Sequence, residues 1–101
     1  MTISVAGFRI APPVMLAPMA GITDLPFRRL VGRMGAGLVV SEMVASQEMV
    51  QDKPGVRARA ALGLGPQAGG VPTAVQLAGR DAFWMAEAAR RVEADGARLI
   101  D

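Results

Sequence analysis

The chain has 101 residues, half of them apolar, and its eleven basic and nine acidic residues leave a net charge of +2. That balance describes one globular unit, residues 1–101, rather than a disordered tail. With neither cysteine nor histidine present, these residues hold no disulfide, thiol nucleophile, Ser-His-Asp triad, or Cys or His metal site.

Residues 3–10 alternate loosely around Gly7 and stop at Pro12-Pro13, which predicts a small hairpin or edge ribbon. Val14, Met15, Leu16 and Ala17 form a short apolar run ended by Pro18, the pattern of a buried strand. Thr23 or Asp24 then caps a helix with Pro26 in its first turn. Phe27, Leu30, Val31 and Met34 follow the spacing of one buried face, and Arg28, Arg29, Gly32 and Arg33 fall opposite. Gly35 suits the position after the helix, where φ turns positive.

A second strand is expected over residues 38–41, with Glu42 and Met43 at its C-terminal end. Residues 44–70 are the least regular part. Short helices are expected near 47–50 and 55–62, followed by a turn-rich connector at Gly63, Gly65, Pro66, Gly69 and Gly70. Residues 73–77 read as a third strand, with Gly79 just after it. Asp81 caps a helix that buries Ala82, Met85, Ala88, Ala89 and Val92 and pairs Glu87 with Arg91 outside. Gly96 ends that helix, and residues 98–101 open a fourth strand.

Such alternation implies an α/β fold with a parallel sheet and right-handed crossovers. A parallel sheet is normally covered on both faces. Four strands with so few helices leave it unfinished, and a truncated domain is expected. The most apolar stretch, residues 14–22, is nine long and holds Pro18 and Gly21, whereas a spanning helix needs about 20 residues. The N-terminus lacks the basic start and unbroken apolar core of a signal peptide. The cytoplasm is therefore the expected compartment.

Ligands of parallel α/β folds gather at the C-terminal ends of the strands. Three segments put unusual residues there: 17–21, 41–43 and 76–79. Ala20 and Gly21 carry little bulk, so their backbone can approach a flat ligand closely, and Met19 offers a soft apolar edge to a ring. Gln76 has both a donor and an acceptor, and inside an apolar run it needs partners, of which a ligand is one. Glu42 reads as readily as a solvated loop acid or N-cap as it does as a strand-end site residue. Arg28, Arg29 and Arg33 form either a stripe for RNA phosphates or a solvated face. The solvated face is preferred, because no aromatic residues interleave with them. Neither the G-x-G-x-x-G nor the G-x-x-x-x-G-K-[ST] spacing of nucleotide loops is present.

Three segments, in order and spacing, resemble the tRNA-dihydrouridine synthase family, and most closely its bacterial B-type branch. They are Leu16-Ala-Pro-Met-Ala-Gly-Ile-Thr-Asp-Leu-Pro-Phe-Arg-Arg29, Val40-Ser-Glu-Met-Val44 and Ala74-Val-Gln-Leu-Ala-Gly79. Arg98-Leu-Ile-Asp101 is similar to the strand leading into that family's Asn-x-Gly-Cys-Pro loop. The resemblance implies the N-terminal part of an FMN-binding (β/α)8 TIM barrel, about three βα units plus the start of the fourth strand. The C-terminal half of the barrel and a helical domain would be absent. It implies FMN as cofactor, NADPH as reductant, tRNA as partner and reduction of uridine to dihydrouridine as the reaction. It puts Pro18, Met19 and Ala20 against the flavin and Gln76 on the isoalloxazine edge. No catalytic residue falls within the chain, because the family's proton-donating cysteine lies beyond Asp101. Alternatives are another FMN barrel oxidoreductase acting on a small molecule, or a non-catalytic half-barrel that self-associates.

A complete barrel takes roughly 250 residues, so one wall of such a site is expected here. An uncovered sheet edge also favours aggregation. The isolated 101-residue chain is expected neither to hold FMN tightly nor to reduce tRNA. Gel filtration checks this: a purified sample that stays yellow through the column overturns it.

Overall fold

The computed structural model describes residues 1–61 and 71–101; the expected glycine-rich connector lies outside them. Strands β1 (Ile3–Val5) and β2 (Phe8–Ile10) form the expected hairpin, pairing Ile3 with Ile10 and Val5 with Phe8. Its two turn residues, Ala6 and Gly7, both have positive φ, the setting that matches the twist of a tight hairpin.

The central sheet holds β3 (Met15–Leu16), β4 (Leu38–Val40), β6 (Thr73–Val75) and β8 (Leu99–Ile100), in the order β3-β4-β6-β8 and all parallel. Helix α1 (Leu25–Arg33) joins the first two strands, and α4 (Ala82–Ala94) joins the last two. Between β4 and β6 come β5 (Val44–Ala45), α2 (Ser46–Val50) and α3 (Pro54–Ala60). The two short helices match expectation up to Ala60. The sequence pattern gave no sign of β5, which pairs in parallel with β7 (Leu77–Ala78).

The expected third strand is divided. β6 stays in the main sheet, β7 joins β5, and Gln76 sits between them. The break follows from where the Gln76 backbone bonds. Its N–H donates to Ser41 Oγ at 3.1 Å rather than to a ladder carbonyl, and its carbonyl accepts from Val44 N–H at 2.8 Å.

Alternation along the strands gives the sheet two apolar faces. Val44, Met49, Val56, Val75, Ala88 and Val92 pack between the strands and helices α2, α3 and α4. Ile10, Leu38, Val40 and Ala74 pack on the other face, with Phe8 and Leu99 beside them. The hairpin thus closes one side of the sheet through the fully buried Ile10. The Arg98 guanidinium carbon lies 4.8 Å from the Phe8 ring centre, a cation–π contact.

Two helix faces differ from expectation. On α1, Leu30 is 46% exposed and Met34 79% exposed, whereas Arg28 and Gly32 are buried. At about 100° per residue, the helix is rolled by roughly a third of a turn from its apolar stripe. The contacts of Arg28 drive the roll. Gly32 permits it, since a Cβ there would lie 2.9 Å from Val71 Cγ2. On α4, Ala82 is exposed, and Glu87 pairs with Arg90 instead of Arg91. Packing of α4 against α2 turns Arg91 toward Asp52, 3.4 Å away. Both helices are followed by a positive-φ glycine, Gly35 and Gly96, as expected. No helix among the described residues is long and apolar enough to cross a membrane.

Where the hairpin meets the sheet, a Cβ on Gly37 would collide with the Pro12 carbonyl and lie 2.9 Å from Ile10 Cγ2. In the protein that carries this chain, Gly37→Ala is expected to cost about 1–3 kcal/mol by overpacking. Gly55→Ala, where a Cβ meets nothing within 4 Å in a helix, is expected to be neutral or stabilising. Thermal unfolding of the two variants, compared with the parent, checks the contrast.

Candidate functional site

The parallel order brings the C-terminal ends of β3, β4, β6 and β8 side by side. The three segments singled out in the sequence therefore lie at adjacent strand ends. Asp101 follows β8 as a fourth, whose side chain sequence reasoning did not anticipate.

After β3 the chain turns tightly on itself. Ile22 N–H and Thr23 N–H both donate to the Met19 carbonyl at 3.0 Å, and Met19 N–H donates to Thr23 Oγ1 at 2.9 Å. Thr23 is thus wholly buried within the turn. Asp24 caps α1, its Oδ1 accepting from Phe27 N–H at 3.0 Å. Gly21 has φ +75, a setting that glycine takes at no steric cost. Its N–H leaves the turn and donates to Glu42 Oε1 at 2.6 Å. Among the backbone N–H groups of residues 19–23, Ala20 alone has no partner among the described residues. Met19 and Ala20 are exposed and Pro18 is half-buried.

Glu42 is neither a solvated loop acid nor a helix cap. Its side chain is only 12% exposed, and its Oε2 faces Arg59 Nε at 3.5 Å. The residue before it, Ser41, is wholly buried. Ser41 Oγ donates to the Glu42 carbonyl at 2.8 Å and accepts from Gln76 N–H at 3.1 Å. At the end of β6, the half-buried Gln76 uses Nε2 to donate to Asp101 Oδ2 at 2.9 Å. That contact directs the side-chain amide nitrogen to Asp101 and leaves the side-chain Oε1 of Gln76 without a partner among the described residues.

Arg28 contradicts the expectation of a solvated helix face, and equally the alternative of a stripe open to RNA phosphates. Only 1% exposed, it donates from Nε to the Thr23 carbonyl at 3.1 Å, from Nη1 to the Ala61 carbonyl at 2.8 Å and from Nη2 to the Arg59 carbonyl at 3.2 Å. Burial pushes its pKa below the ordinary arginine value, while Asp24 and Glu42 pull it back up. An arginine stays charged under such a shift. The side chain therefore locks the turn after β3 to the end of α3. A pattern of apolar spacing carries no signal for this role, because it counts every arginine as a surface residue.

A separate groove of about 610 Å³ is lined by Ser46, Lys53, Gly79, Arg80, Asp81 and Trp84 among others, and by none of the residues of this cluster. A Cβ on Gly79 would collide with Ser46 Oγ unless that side chain moved. Among the described residues, no cluster of His, Cys, Asp and Glu is suited to a metal ion.

The family model described as dihydrouridine synthase matches residues 15–101. A relative in Rhodobacter capsulatus, named "Probable tRNA-dihydrouridine synthase", is 64% identical over all 101 residues, which cover 30% of its own length. One of the same name in Rhizobium leguminosarum is 54% identical over 88 residues, covering 87% of this chain and 26% of the relative. The "tRNA-dihydrouridine synthase B" of Pseudomonas syringae is 48% identical over 88 residues, again 87% of this chain and 25% of the relative. The chain thus spans less than a third of the length of these relatives.

Replacing Arg28 by leucine strands three carbonyl oxygens, and each buried group left unbonded costs about 1–3 kcal/mol. The expected loss for Arg28→Leu is about 3 kcal/mol. Arg28→Lys keeps the charge but cannot reach three carbonyls with one ammonium, and it should recover less than half of that. Urea unfolding checks both variants; a lysine variant with the parental midpoint would show that the fork contributes nothing.

Proposed function

This chain belongs to the dihydrouridine synthase family, and from that premise we propose that the protein carrying it reduces uridine in tRNA to dihydrouridine with FMN, reloaded by NADPH. The four parallel strands would form one arc of a (β/α)8 barrel, about three βα units and the opening of a fourth. The reaction would take place in the cytoplasm, on a base drawn out of its stack.

The observation that carries this reading is the presence of two open polar groups beyond the ends of β3 and β6, with β4 between them: the Ala20 N–H and the Gln76 side-chain Oε1. With strands about 4.8 Å apart, the ends of β3 and β6 lie about 10 Å apart, a gap that a planar tricyclic ring spans. A flavin edge presents both acceptors and a ring N–H. The residues present therefore fit FMN: Ala20 would donate, Gln76 would accept, and Pro18 and Met19 would supply apolar contact. Gly21, lacking a side chain, leaves the approach clear.

When bound, FMN supplies the hydride that reduces the uracil ring. The role of this chain is to hold and orient. The turn after β3 gives a rigid floor, Asp101 orients the Gln76 amide, and the exposed methionine edge sheds water from the ring face. By the family pattern, the group that protonates the base is a cysteine beyond Asp101.

Titration of the carrying protein with FMN, followed by quenching of flavin fluorescence, tests the reading. Gln76→Leu is expected to weaken FMN binding about tenfold, the effect of losing one oriented hydrogen bond in a dry site. The dihydrouridine content of tRNA incubated with NADPH should fall in parallel. An unmodified protein that binds no FMN would overturn the proposal.

A further inference from the structure

Glu42 touches neither open group of the site, yet it is joined to both segments that carry them. Its Oε1 accepts from Gly21 N–H at 2.6 Å, and its backbone carbonyl accepts from Ser41 Oγ, which in turn takes the Gln76 N–H at 3.1 Å. The other hydrogen bonds of residues 19–23 stay within the turn or run to Asp24 and Arg28, at the start of α1. The Glu42 bond is the one among them that reaches across to the neighbouring strand end. It is short and charge-assisted, on a side chain only 12% exposed, and such bonds are about twice as strong as neutral ones. The pull on Gly21 also determines which donor stays open. With Met19, Gly21, Ile22 and Thr23 N–H all engaged, Ala20 N–H is the one left over.

We propose that Glu42 is the positioning residue of the cofactor site: through Gly21 it holds the turn after β3 in the conformation that keeps Ala20 N–H free, at a fixed separation from Gln76. This rests on the flavin reading above. Arg59 completes the arrangement by occupying Oε2, so that Oε1 is the oxygen left for the turn. Exposed on its own side, Arg59 contributes little energy to the pair but helps determine which way the carboxylate faces.

The test uses the protein that carries this chain and two readouts, one of which needs no cofactor. The first is hydrogen exchange at the Gly21 amide in the flavin-free protein, with amides of β6 as internal reference. The second is FMN affinity. Glu42→Ala is expected to speed exchange at Gly21 at least tenfold while leaving β6 unchanged, and to weaken FMN binding about tenfold. Glu42→Gln keeps an oxygen acceptor on a side chain of the same length, and should stay within about threefold of the parent in both readouts. Glu42→Asp keeps the charge but falls one methylene short, and should behave like alanine; it carries the test if the alanine variant does not fold.

Parental Gly21 exchange and FMN affinity in the alanine or aspartate variant would overturn the proposal. So would faster exchange throughout β6, which would make Glu42 a support of the whole fold rather than of the turn. If the parent binds no FMN while Gly21 exchange still follows Glu42, the anchoring of the turn stands and the flavin reading falls.

Discussion

The buried guanidinium of Arg28 is the constraint on which the rest of this arrangement depends. Taking a cation out of water is costly unless its donors are satisfied, and Arg28 meets that requirement with backbone carbonyls rather than with a hydrogen-bonded carboxylate. Two of the three, Arg59 and Ala61, lie at the end of α3, where a helix leaves carbonyls unpaired and its dipole favours positive charge. The third, Thr23, closes the turn after β3. One side chain thereby fastens an otherwise irregular connection to the first strand of the sheet. The same fastening rolls α1 onto Arg28 and Gly32 and leaves Leu30 and Met34 outward.

The candidate site inherits its rigidity from that fastening. With Thr23 held from behind by Arg28, the turn is held from the side by Glu42, and Glu42 is placed by Arg59 on the same α3 segment that Arg28 grips. Ser41 then carries the connection on to Gln76. Backbone groups thus do much of the holding, while the side chains around Ala20 stay small. That suits a surface meant to lie close against a flat ligand, where bulky side chains would block approach and mobile ones would lose entropy on binding. The order of the strands adds the remaining element, since parallel neighbours put their C-terminal ends on one side of the sheet.

Some of this was legible beforehand because it is local. Asp81 caps the helix it was expected to cap, Asp24 is the one of the two expected candidates that caps α1, and glycines at 35 and 96 follow those helices with positive φ. These devices act within a few residues, so spacing alone reveals them. The strand-end placement of Pro18, Met19, Ala20 and Gln76 was legible as well, because apolar runs bounded by breakers mark where parallel strands stop. The burial of Arg28 was not, since its partners at 59 and 61 lie more than thirty positions away. The division of the third strand at Gln76 depends on Ser41, thirty-five positions earlier, and the Arg91–Asp52 pair on the meeting of α4 with α2.

By itself, then, the sequence determined the alternation of strands and helices, their caps and turns, and the small residues at the first strand end, since each follows from forces between near neighbours. Family membership was legible in the same way, from motifs read in order along the chain. Only the tertiary structure decided which face of α1 is inside, what Glu42 holds, which backbone donor stays free and which way the Gln76 amide is directed. Each of those is settled by a hydrogen bond between groups far apart in the chain. Such a bond forms only where the fold brings the two groups together.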